Sequence, residues 1–374
     1  MEKFIVSARK YRPTTFDSVV GQSHITTTLK NAIRKNQLAQ AFLFCGPRGV
    51  GKTTCARILA KTINCTNLTD DTEPCNECDS CRSFNEGTSM NIFELDAASN
   101  NSVDDIRSLV EKVRIPPQTG KYKVYIIDEV HMLSTQAFNA FLKTLEEPPE
   151  YAKFILATTE KHKIIPTILS RCQIYDFKRI QTDDIVKHLE YVANQEGINY
   201  EPEAIHVIAH KAEGGLRDAL STFDQLVSFT KGNLTYKDCI ENLNVLDCDY
   251  YFRFVDYFKA GDISNSLLLY QELIDKGFDG QHFVTGLSEH LRNLMVCLDP
   301  ATQRLMDVVE KYRAEYARQS AECGMALLMR YLEMASECEY KFRDASNKRL
   351  FVEVTLMKMA NLTKNLQLAQ PAAG

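Results

Sequence analysis

A run of eight residues between positions 46 and 53, GPRGVGKT, has the composition and spacing of a phosphate-binding loop. Gly46 and Gly51 let the backbone curl so that its N–H groups point inward at phosphate oxygens. Lys52 would reach the β and γ oxygens, and Thr53 would ligate Mg²⁺ at a helix N-terminus that itself favours anions. The run therefore predicts a magnesium-nucleotide site, with these nucleotide-binding residues: Gly46, Pro47, Arg48, Gly49, Val50, Gly51, Lys52 and Thr53.

Two adjacent carboxylates, in KVYIIDEVH, come later in the chain and end a fully apolar run from Val124 to Ile127. Asp128 is placed to hold Mg²⁺, and Glu129 to orient and polarise an attacking water. The alternative is a pair of ordinary surface acids. A buried strand that ends in Asp-Glu downstream of a phosphate loop favours nucleotide hydrolysis instead.

A third apolar run, AKFILATTE, ends in Thr158 and Thr159, and PTILSRC follows with Arg171. The carboxyl ends of parallel strands meet at one edge of a sheet, so a hydroxyl there could sense the γ-phosphate beside Asp128. Arg171 has two interpretations. It could form a salt bridge within its own domain, or it could reach a neighbouring chain's nucleotide as an arginine finger.

The elements that must position these residues can be predicted from the pattern around them. Residues 41–45 are apolar and predict a buried strand, and the segment after the phosphate loop predicts an amphipathic helix. Ser134 is a predicted N-cap for the helix TQAFNAFLKTLEE, which Pro148 and Pro149 would end. The chain up to about Phe177 therefore predicts a parallel α/β nucleotide-binding domain, and the rest reads as helical.

Composition limits the class of protein. The 374 residues are 44% apolar and 25% charged, which is typical of a globular protein of two or three domains. We find neither a signal peptide nor a membrane-spanning run, so we expect a cytoplasmic protein with no membrane partner. Residues 1–60 hold ten Lys or Arg against two acids, so any polyanion contact is expected locally.

Longer stretches of the sequence closely resemble the bacterial clamp-loader ATPases, the gamma/tau family of DNA polymerase III subunits within the AAA+ class. The resemblance is dense over about residues 1–245 and looser beyond, through NKRLFVEVTLMKMA. The stretches that carry it are ARKYRPTTFDSVVGQ, GPRGVGKT, ELDAASNNSVDDIR, IIDEVHMLS, ATTEKHKIIPTILSRC and GGLRDALS.

The resemblance implies roles for individual residues. Lys52 and Thr53 fall in the family's Walker A loop, and Asp128 and Glu129 in Walker B, with Thr53 and Asp128 holding magnesium. Thr159 aligns with the sensor of the γ-phosphate, Arg171 with the finger for a neighbour's ATP, and Arg217 with a second sensor on a helical lid. The segment that would cradle adenine comprises Tyr11, Arg12, Pro13 and Val20.

A cysteine-rich stretch, EPCNECDSCR, could be a metal site, a redox pair or a disulfide knot. The reducing cytosol, where we expect this chain, disfavours structural disulfides. The resemblance places zinc here. Cys75, Cys78 and Cys81, joined by Cys65, would supply the four thiolates that a closed, structural zinc site requires. The other eight cysteines are expected to be small buried hydrophobes.

The predicted fold is an α/β P-loop (RecA-like AAA+) domain with a zinc-binding insertion, followed by an all-α lid and an all-α collar. We expect the AAA+ domain at 1–178 with its zinc module at about 65–81. The lid is expected at 179–243, the collar at 244–368 and a disordered tail at 369–374. We expect the polymerase-binding and helicase-binding segments of a longer tau form to be absent after the collar. Whether the chain is a short gamma-like form or a trimmed piece of a longer tau-like product stays open.

The implied function is that of an ATPase subunit of a clamp loader, with ATP, Mg²⁺ and Zn²⁺ as cofactors. Expected partners are delta and delta-prime subunits, further copies of this chain, the sliding clamp and the phosphate backbone of primer-template DNA. A DNA-directed DNA polymerase site is not expected, because Walker B accounts for the one paired carboxylate set. One alternative is a scaffold subunit that binds but does not hydrolyse nucleotide. Another is a different AAA+ DNA motor, such as a branch-migration helicase.

Overall fold

The computed structural model describes residues 5–117, 120–306 and 308–368, with side chains up to residue 362 in the last helix. The chain forms two units, Met1–Leu234 and Thr235–Gly374. The predicted AAA+ segment and the predicted lid up to residue 234 thus fall in one unit, and the second unit begins nine residues before the predicted collar. The finer three-domain division stays a prediction, and the predicted tail at 369–374 lies outside the described residues.

A five-stranded parallel sheet organises the first unit, with strand order β2-β3-β4-β1-β5. Cys45 pairs with Thr158 on one side and with Asp176 on the other, so the strands end at a common edge. The predicted strands that carry the site are therefore confirmed. The strands are β1 (Ala41–Cys45), β2 (Ile92–Asp96), β3 (Lys123–Asp128), β4 (Ala152–Thr158) and β5 (Gln173–Asp176).

Helices cover both faces of this sheet. They are required there because successive side chains of β1 point to opposite faces and all of them are buried. Phe42 and Phe44 point into one apolar cluster, whereas Leu43 and Cys45 point into the other. Each buried Phe or Leu contributes about 2 kcal/mol through removal of apolar surface from water. The helices are α1 (Ser7–Lys10), α2 (Ser23–Arg34), α3 (Lys52–Asn64), α4 (Asp79–Asn85), α5 (Val103–Val113), α6 (Thr135–Glu146) and α7 (Pro166–Leu169).

Three helices complete the first unit: α8 (Thr182–Glu196), α9 (Pro202–Lys211) and α10 (Leu216–Thr230). Gly197 ends α8 in the left-handed conformation, with φ 66°, where a glycine is favoured. The prediction that this part is all helical is wrong in one detail. Two-residue strands, β6 (Asn199–Tyr200) and β7 (Asn233–Leu234), pair in parallel, and they are too short for a sequence pattern to reveal.

The second unit is helical, and its described residues contain no strand, as predicted. Aspartates cap three of its helices: the side chains of Asp247, Asp262 and Asp279 accept backbone N–H groups in the first turn. The longest helix is interrupted at Gly324, whose φ of 70° is not helical. The helices are α11 (Tyr236–Asn242), α12 (Cys248–Ala260), α13 (Ile263–Asp275), α14 (Gly280–Cys297), α15 (Arg313–Lys341) and α16 (Lys348–Leu368).

His290 lies in the core of the second unit within a satisfied polar network. Gln319 donates through Nε2 to the carbonyl of Phe252 (2.8 Å) and to Asp256 (2.9 Å), which leaves its Oε1 to accept from His290 Nε2 at 3.3 Å. Nδ1 of His290 then accepts the hydroxyl of Tyr316 at 2.9 Å. Burial lowers the pKa of His290 to about 3, so the imidazole is neutral in the folded chain.

The possibility of a membrane span can be checked directly. Among the residues that the structure describes, no helix is both long enough and apolar enough to cross a membrane.

Candidate functional site

The phosphate loop joins the end of β1 to the start of α3 at the common edge of the sheet. Its glycines hold conformations that other residues rarely adopt, with φ of 145° at Gly46, 78° at Gly49 and 101° at Gly51. A Cβ on Gly46 would overlap the carbonyl of Phe177, and one on Gly49 would lie 3.1 Å from Cα of Gly215. The loop therefore requires glycine for backbone conformation and also for close packing.

Lys52 is the first residue of α3 and is buried, with 5% of its surface exposed. Its ammonium group donates to the carbonyls of Gly46 (2.8 Å) and Pro47 (2.7 Å), so it lies within the curl of the loop. Burial lowers the pKa of Lys52 below its ordinary value, while Glu129 and Asp128 act in the opposite direction. A buried ammonium whose hydrogen bonds run to backbone carbonyls is well suited to meet phosphate oxygens.

Thr53 and Asp128 converge at the same edge, because α3 starts and β3 ends there. The Thr53 hydroxyl donates to Oδ2 of Asp128 at 2.6 Å, and both residues line the cavity described below. A hydroxyl and a carboxylate are the hard oxygen donors that Mg²⁺ prefers. The residues fit the predicted magnesium site.

Glu129 is held in position by the neighbouring strand. Oε2 of its carboxylate accepts the backbone N–H of Thr159 at 3.1 Å and the Thr159 hydroxyl at 3.0 Å. The backbone of Glu129 adopts the left-handed conformation, with φ 47°, a strained arrangement for a residue with a side chain. A fixed carboxylate beside the phosphate loop can orient and accept a proton from a water molecule.

His131 adds a contact that the sequence did not predict. Its Nδ1 lies 3.3 Å from Oε2 of Glu129 and 3.0 Å from the Thr158 hydroxyl. Thr158 is fully buried and its hydroxyl also accepts the N–H of Glu160, whereas the Thr159 hydroxyl donates to Glu129. No local spacing in the sequence signals that His131 packs against this carboxylate.

A cavity of about 810 Å³ lies over the phosphate loop, a volume suited to a nucleotide. All four residues of the predicted adenine segment line it, namely Tyr11, Arg12, Pro13 and Val20. Desolvation, and to a lesser extent the nearby Arg57, lower the pKa of Arg12. The predicted residues that line the cavity from the loop are Arg48, Gly49, Val50, Gly51, Lys52 and Thr53.

Arg217 reaches the cavity from α10, in the segment predicted to be the lid. Its backbone N–H donates to the carbonyl of Gly49 at 3.4 Å, so the first turn of α10 contacts the phosphate loop. The apolar residues Ile180, Leu216 and Leu220 also line the cavity, although no motif in the sequence marks them as binding residues. Gly46, Pro47 and Thr159 line an adjoining cavity instead.

Arg171 does not line the nucleotide cavity of its own chain. The guanidinium group donates to Oε1 of Glu146 at 2.9 Å and to the carbonyl of Thr167 at 2.7 Å, and its side chain is 34% exposed. The ion pair of the first predicted interpretation is therefore present. Donation to a neighbouring chain stays a prediction.

The four predicted zinc ligands come together in the first unit. The Sγ atoms of Cys65, Cys75, Cys78 and Cys81 all lie within 4.8 Å of one another. Cys65 Sγ is 3.5 Å from that of Cys75 and 3.9 Å from that of Cys78. A tetrahedron with Zn–S bonds of about 2.3 Å has sulfurs ~3.8 Å apart, so the residues fit zinc. These separations exceed a disulfide bond, and each cysteine is a free thiol.

Three protein-family models match consecutive parts of the chain. Residues 21–181 match the model described as DNA polymerase III, delta subunit. Residues 184–232 match the ATPase lid domain of the DNA polymerase III clamp loader subunit. Residues 241–372 match domain III of the DNA polymerase III subunits gamma and tau.

Curated relatives align over nearly the whole chain. The DNA polymerase III subunit tau of Bacillus subtilis is 40% identical over 94% of this chain and 62% of its own length. The tau subunit of Escherichia coli is 39% identical over 98% of this chain and 57% of its own length. The gamma subunit of Buchnera aphidicola is 35% identical, over 96% of this chain and 97% of its own length. The chain thus spans about three fifths of the tau relatives.

Two solved structures share a more distant likeness. The Thermotoga maritima RuvB Holliday junction branch migration motor aligns with 18% identity and a TM-score of 0.47, over 66% of this chain and 78% of that one. The Bacillus subtilis DNA clamp loader delta protein aligns with 13% identity and a TM-score of 0.38, over 90% of this chain and 99% of that one.

Proposed function

The chain belongs to the gamma/tau family of DNA polymerase III subunits, and we propose that it is an ATP-hydrolysing subunit of a clamp loader. In this role it uses ATP to open a sliding clamp and load it onto primed DNA. The observation that carries the proposal is the arrangement around the cavity. Lys52 lies in the phosphate loop, the Thr53 hydroxyl contacts Asp128, and Thr159 fixes the Glu129 carboxylate.

The residues divide the work of hydrolysis between binding and water activation. The loop N–H groups and Lys52 would hold the β- and γ-phosphates, while Thr53 and Asp128 would hold magnesium. Magnesium, when bound, neutralises charge on the phosphate oxygens. Glu129 would orient the attacking water and accept its proton, and Thr159 would keep the carboxylate aligned.

Arg171 and Arg217 would complete the site in different ways. Arg217 lies in the cavity of its own chain and would meet the phosphates from α10. Arg171 lies on the surface outside that cavity, so we propose that it completes the site of an adjacent chain. Each chain would then hold only part of some active sites, and turnover would depend on assembly.

The proposed partners follow from family membership. They are the delta and delta-prime clamp-loader subunits, further copies of this chain, the sliding clamp and the phosphate backbone of primer-template DNA. The match of residues 241–372 to gamma and tau domain III supports this role over a branch-migration motor. Because the relatives are bacterial DNA polymerase subunits, we also propose that the chain acts in the bacterial cytoplasm.

The test is steady-state ATP hydrolysis by the chain assembled with delta and delta-prime subunits. We expect strong stimulation only when the sliding clamp and primed DNA are both present. An ATPase rate that ignores clamp and DNA would contradict a clamp-loading role. A chain that binds nucleotide without hydrolysing it in any assembly would favour the scaffold alternative.

A further inference from the structure

The cysteine-rich segment 65–81, here called the zinc loop, contains a buried carboxylate that the proposed function does not use. Glu73 lies two residues before Cys75 and is only 7% exposed. A buried carboxylate is unfavourable unless hydrogen bonds and a counter-charge compensate for its lost hydration. The hydrogen-bond and ion-pair partners of the Glu73 carboxylate therefore indicate its role.

Glu73 binds the backbone of a segment far away in sequence. Its Oε2 accepts the N–H of Phe16 at 2.7 Å, and its Oε1 accepts the N–H of Asp17 at 3.0 Å. Lys30, on α2, supplies the counter-charge at 2.6 Å from Oε1. Two consecutive backbone donors and one ammonium group thus fix the carboxylate, and the carboxylate fixes the backbone at residues 16 and 17.

The segment that Glu73 holds is part of the nucleotide cavity. Residues 11–20 carry Tyr11, Arg12, Pro13, Val19 and Val20, and all five line that cavity. Phe16, in the middle of the segment, is buried in the same apolar cluster as Val50 of the phosphate loop. The backbone that Glu73 fixes is therefore the support on which the base-facing wall of the cavity is built.

The zinc loop and the short helix α4 that overlaps its end contact the phosphate-loop helix α3 at two places. Lys61 is buried and donates to the side chain of Asn76, which lies between two of the cysteines. The Arg57 guanidinium group lies 4.6 Å from the ring centre of Phe84, on the short helix that contains Cys81. These contacts hold the loop against the same helix that carries Lys52 and Thr53.

We propose that the zinc loop is a positioning element of the nucleotide site and that Glu73 is its positioning residue. With its four thiolates gathered, the loop presents Glu73 to the N–H groups of Phe16 and Asp17 and so orders the cavity wall. This inference rests on the proposed function, because it presupposes that the cavity binds nucleotide. Loss of the contact would reduce the fraction of chains with an ordered wall. The apparent Kd for nucleotide would then equal the intrinsic Kd divided by that fraction.

Glu73→Gln is the direct test, since an amide offers one acceptor oxygen and no charge for Lys30. We expect the Kd for a fluorescent ADP analogue to rise about tenfold, as for a wall ordered only about a tenth of the time. The amides of Phe16 and Asp17 should also exchange faster with deuterium. Asp71→Asn is the matched control: Asp71 is exposed in the same loop, and its neutralisation should change neither quantity.

Zinc removal from the wild-type chain by a chelator keeps the test informative if Glu73→Gln does not fold. We expect faster exchange at residues 16 and 17, unchanged exchange in strand β1, and weaker binding of the ADP analogue. Unchanged affinity together with unchanged exchange at residues 16 and 17, in the folded variant or after zinc removal, would overturn the inference. If the wild-type chain itself binds no nucleotide, it is the proposed function that fails.

Discussion

Arg171 gives the sharpest test of shared active sites, because the structure separates its local role from its proposed one. Within its own chain the side chain is partly exposed and forms a surface ion pair with Glu146 at 2.9 Å. Such pairs contribute about 0 to 1 kcal/mol to stability. Arg171→Ala should therefore fold normally and bind ATP with unchanged affinity. If the side chain completes a neighbour's site, assembled turnover should fall by about 10³.

Mixing Arg171→Ala chains with Lys52→Ala chains tests the same proposal through a gain of ATPase activity. Lys52→Ala removes the buried ammonium group from a chain's own site but leaves its Arg171 for a neighbour. Where two copies adjoin, random mixing of equal amounts of the two inactive variants would pair an intact pocket with an intact finger at about a quarter of the sites.

The assay is steady-state ATP hydrolysis by assemblies reconstituted from each variant alone and from the mixture. We expect activity in the mixture to exceed that of either variant by far more than the sum of their residual rates. A mixture as inactive as its components would refute shared sites. Loss of ATP affinity in Arg171→Ala would instead mean that Arg171 acts within its own chain.

Three further changes test other parts of the structure. Thr159→Val removes a hydroxyl that donates to Glu129 at 3.0 Å. Single-turnover hydrolysis should therefore slow by about 10-fold to 100-fold, with unchanged ATP affinity. An equal loss of ATP affinity would contradict the proposal that Thr159 acts by aligning Glu129. Cys78→Ser should lower zinc content and expose residues 65–81 to protease before the α/β core melts, and retention of one zinc per chain would argue against its role as a ligand. Burial lowers the pKa of His290 to about 3, so the unfolded chain takes up the proton first as pH falls below 6.5. The second unit should lose about 2 kcal/mol of stability by pH 5 through this group, and denaturant unfolding of His290→Gln should lack that loss. His282→Gln, a change of an exposed histidine on the same helix, should retain it.

Motifs that act over a few residues could be predicted from the sequence. The strand at 41–45, the phosphate loop and α3 follow one another along the chain, so their spacing alone places Lys52 and Thr53 together. Ser134 is the N-cap of α6, as its residue type and position predict, and it accepts the N–H of Ala137 at 3.2 Å.

Contacts that depend on strand order could not be predicted in the same way. Thr159 meets Glu129 because β4 lies beside β3, and the side-chain partners follow from a register that no local pattern encodes. The Glu73 carboxylate accepts the N–H of Phe16, which lies 57 residues away in the chain. The cysteine spacing around Glu73 predicts a metal site and carries no sign of this contact. Apolar residues such as Leu216 line the cavity only because α10 packs there, since their type alone predicts core.

The measurement that tests the central claim most directly is clamp loading itself. A labelled sliding clamp would be incubated with primed circular DNA and the assembly that contains this chain. Clamp retained on DNA after the loader is removed would then be counted. We predict retention that requires ATP and disappears with Lys52→Ala. ATP hydrolysis by the wild-type assembly with no clamp left on the DNA would contradict the proposed function.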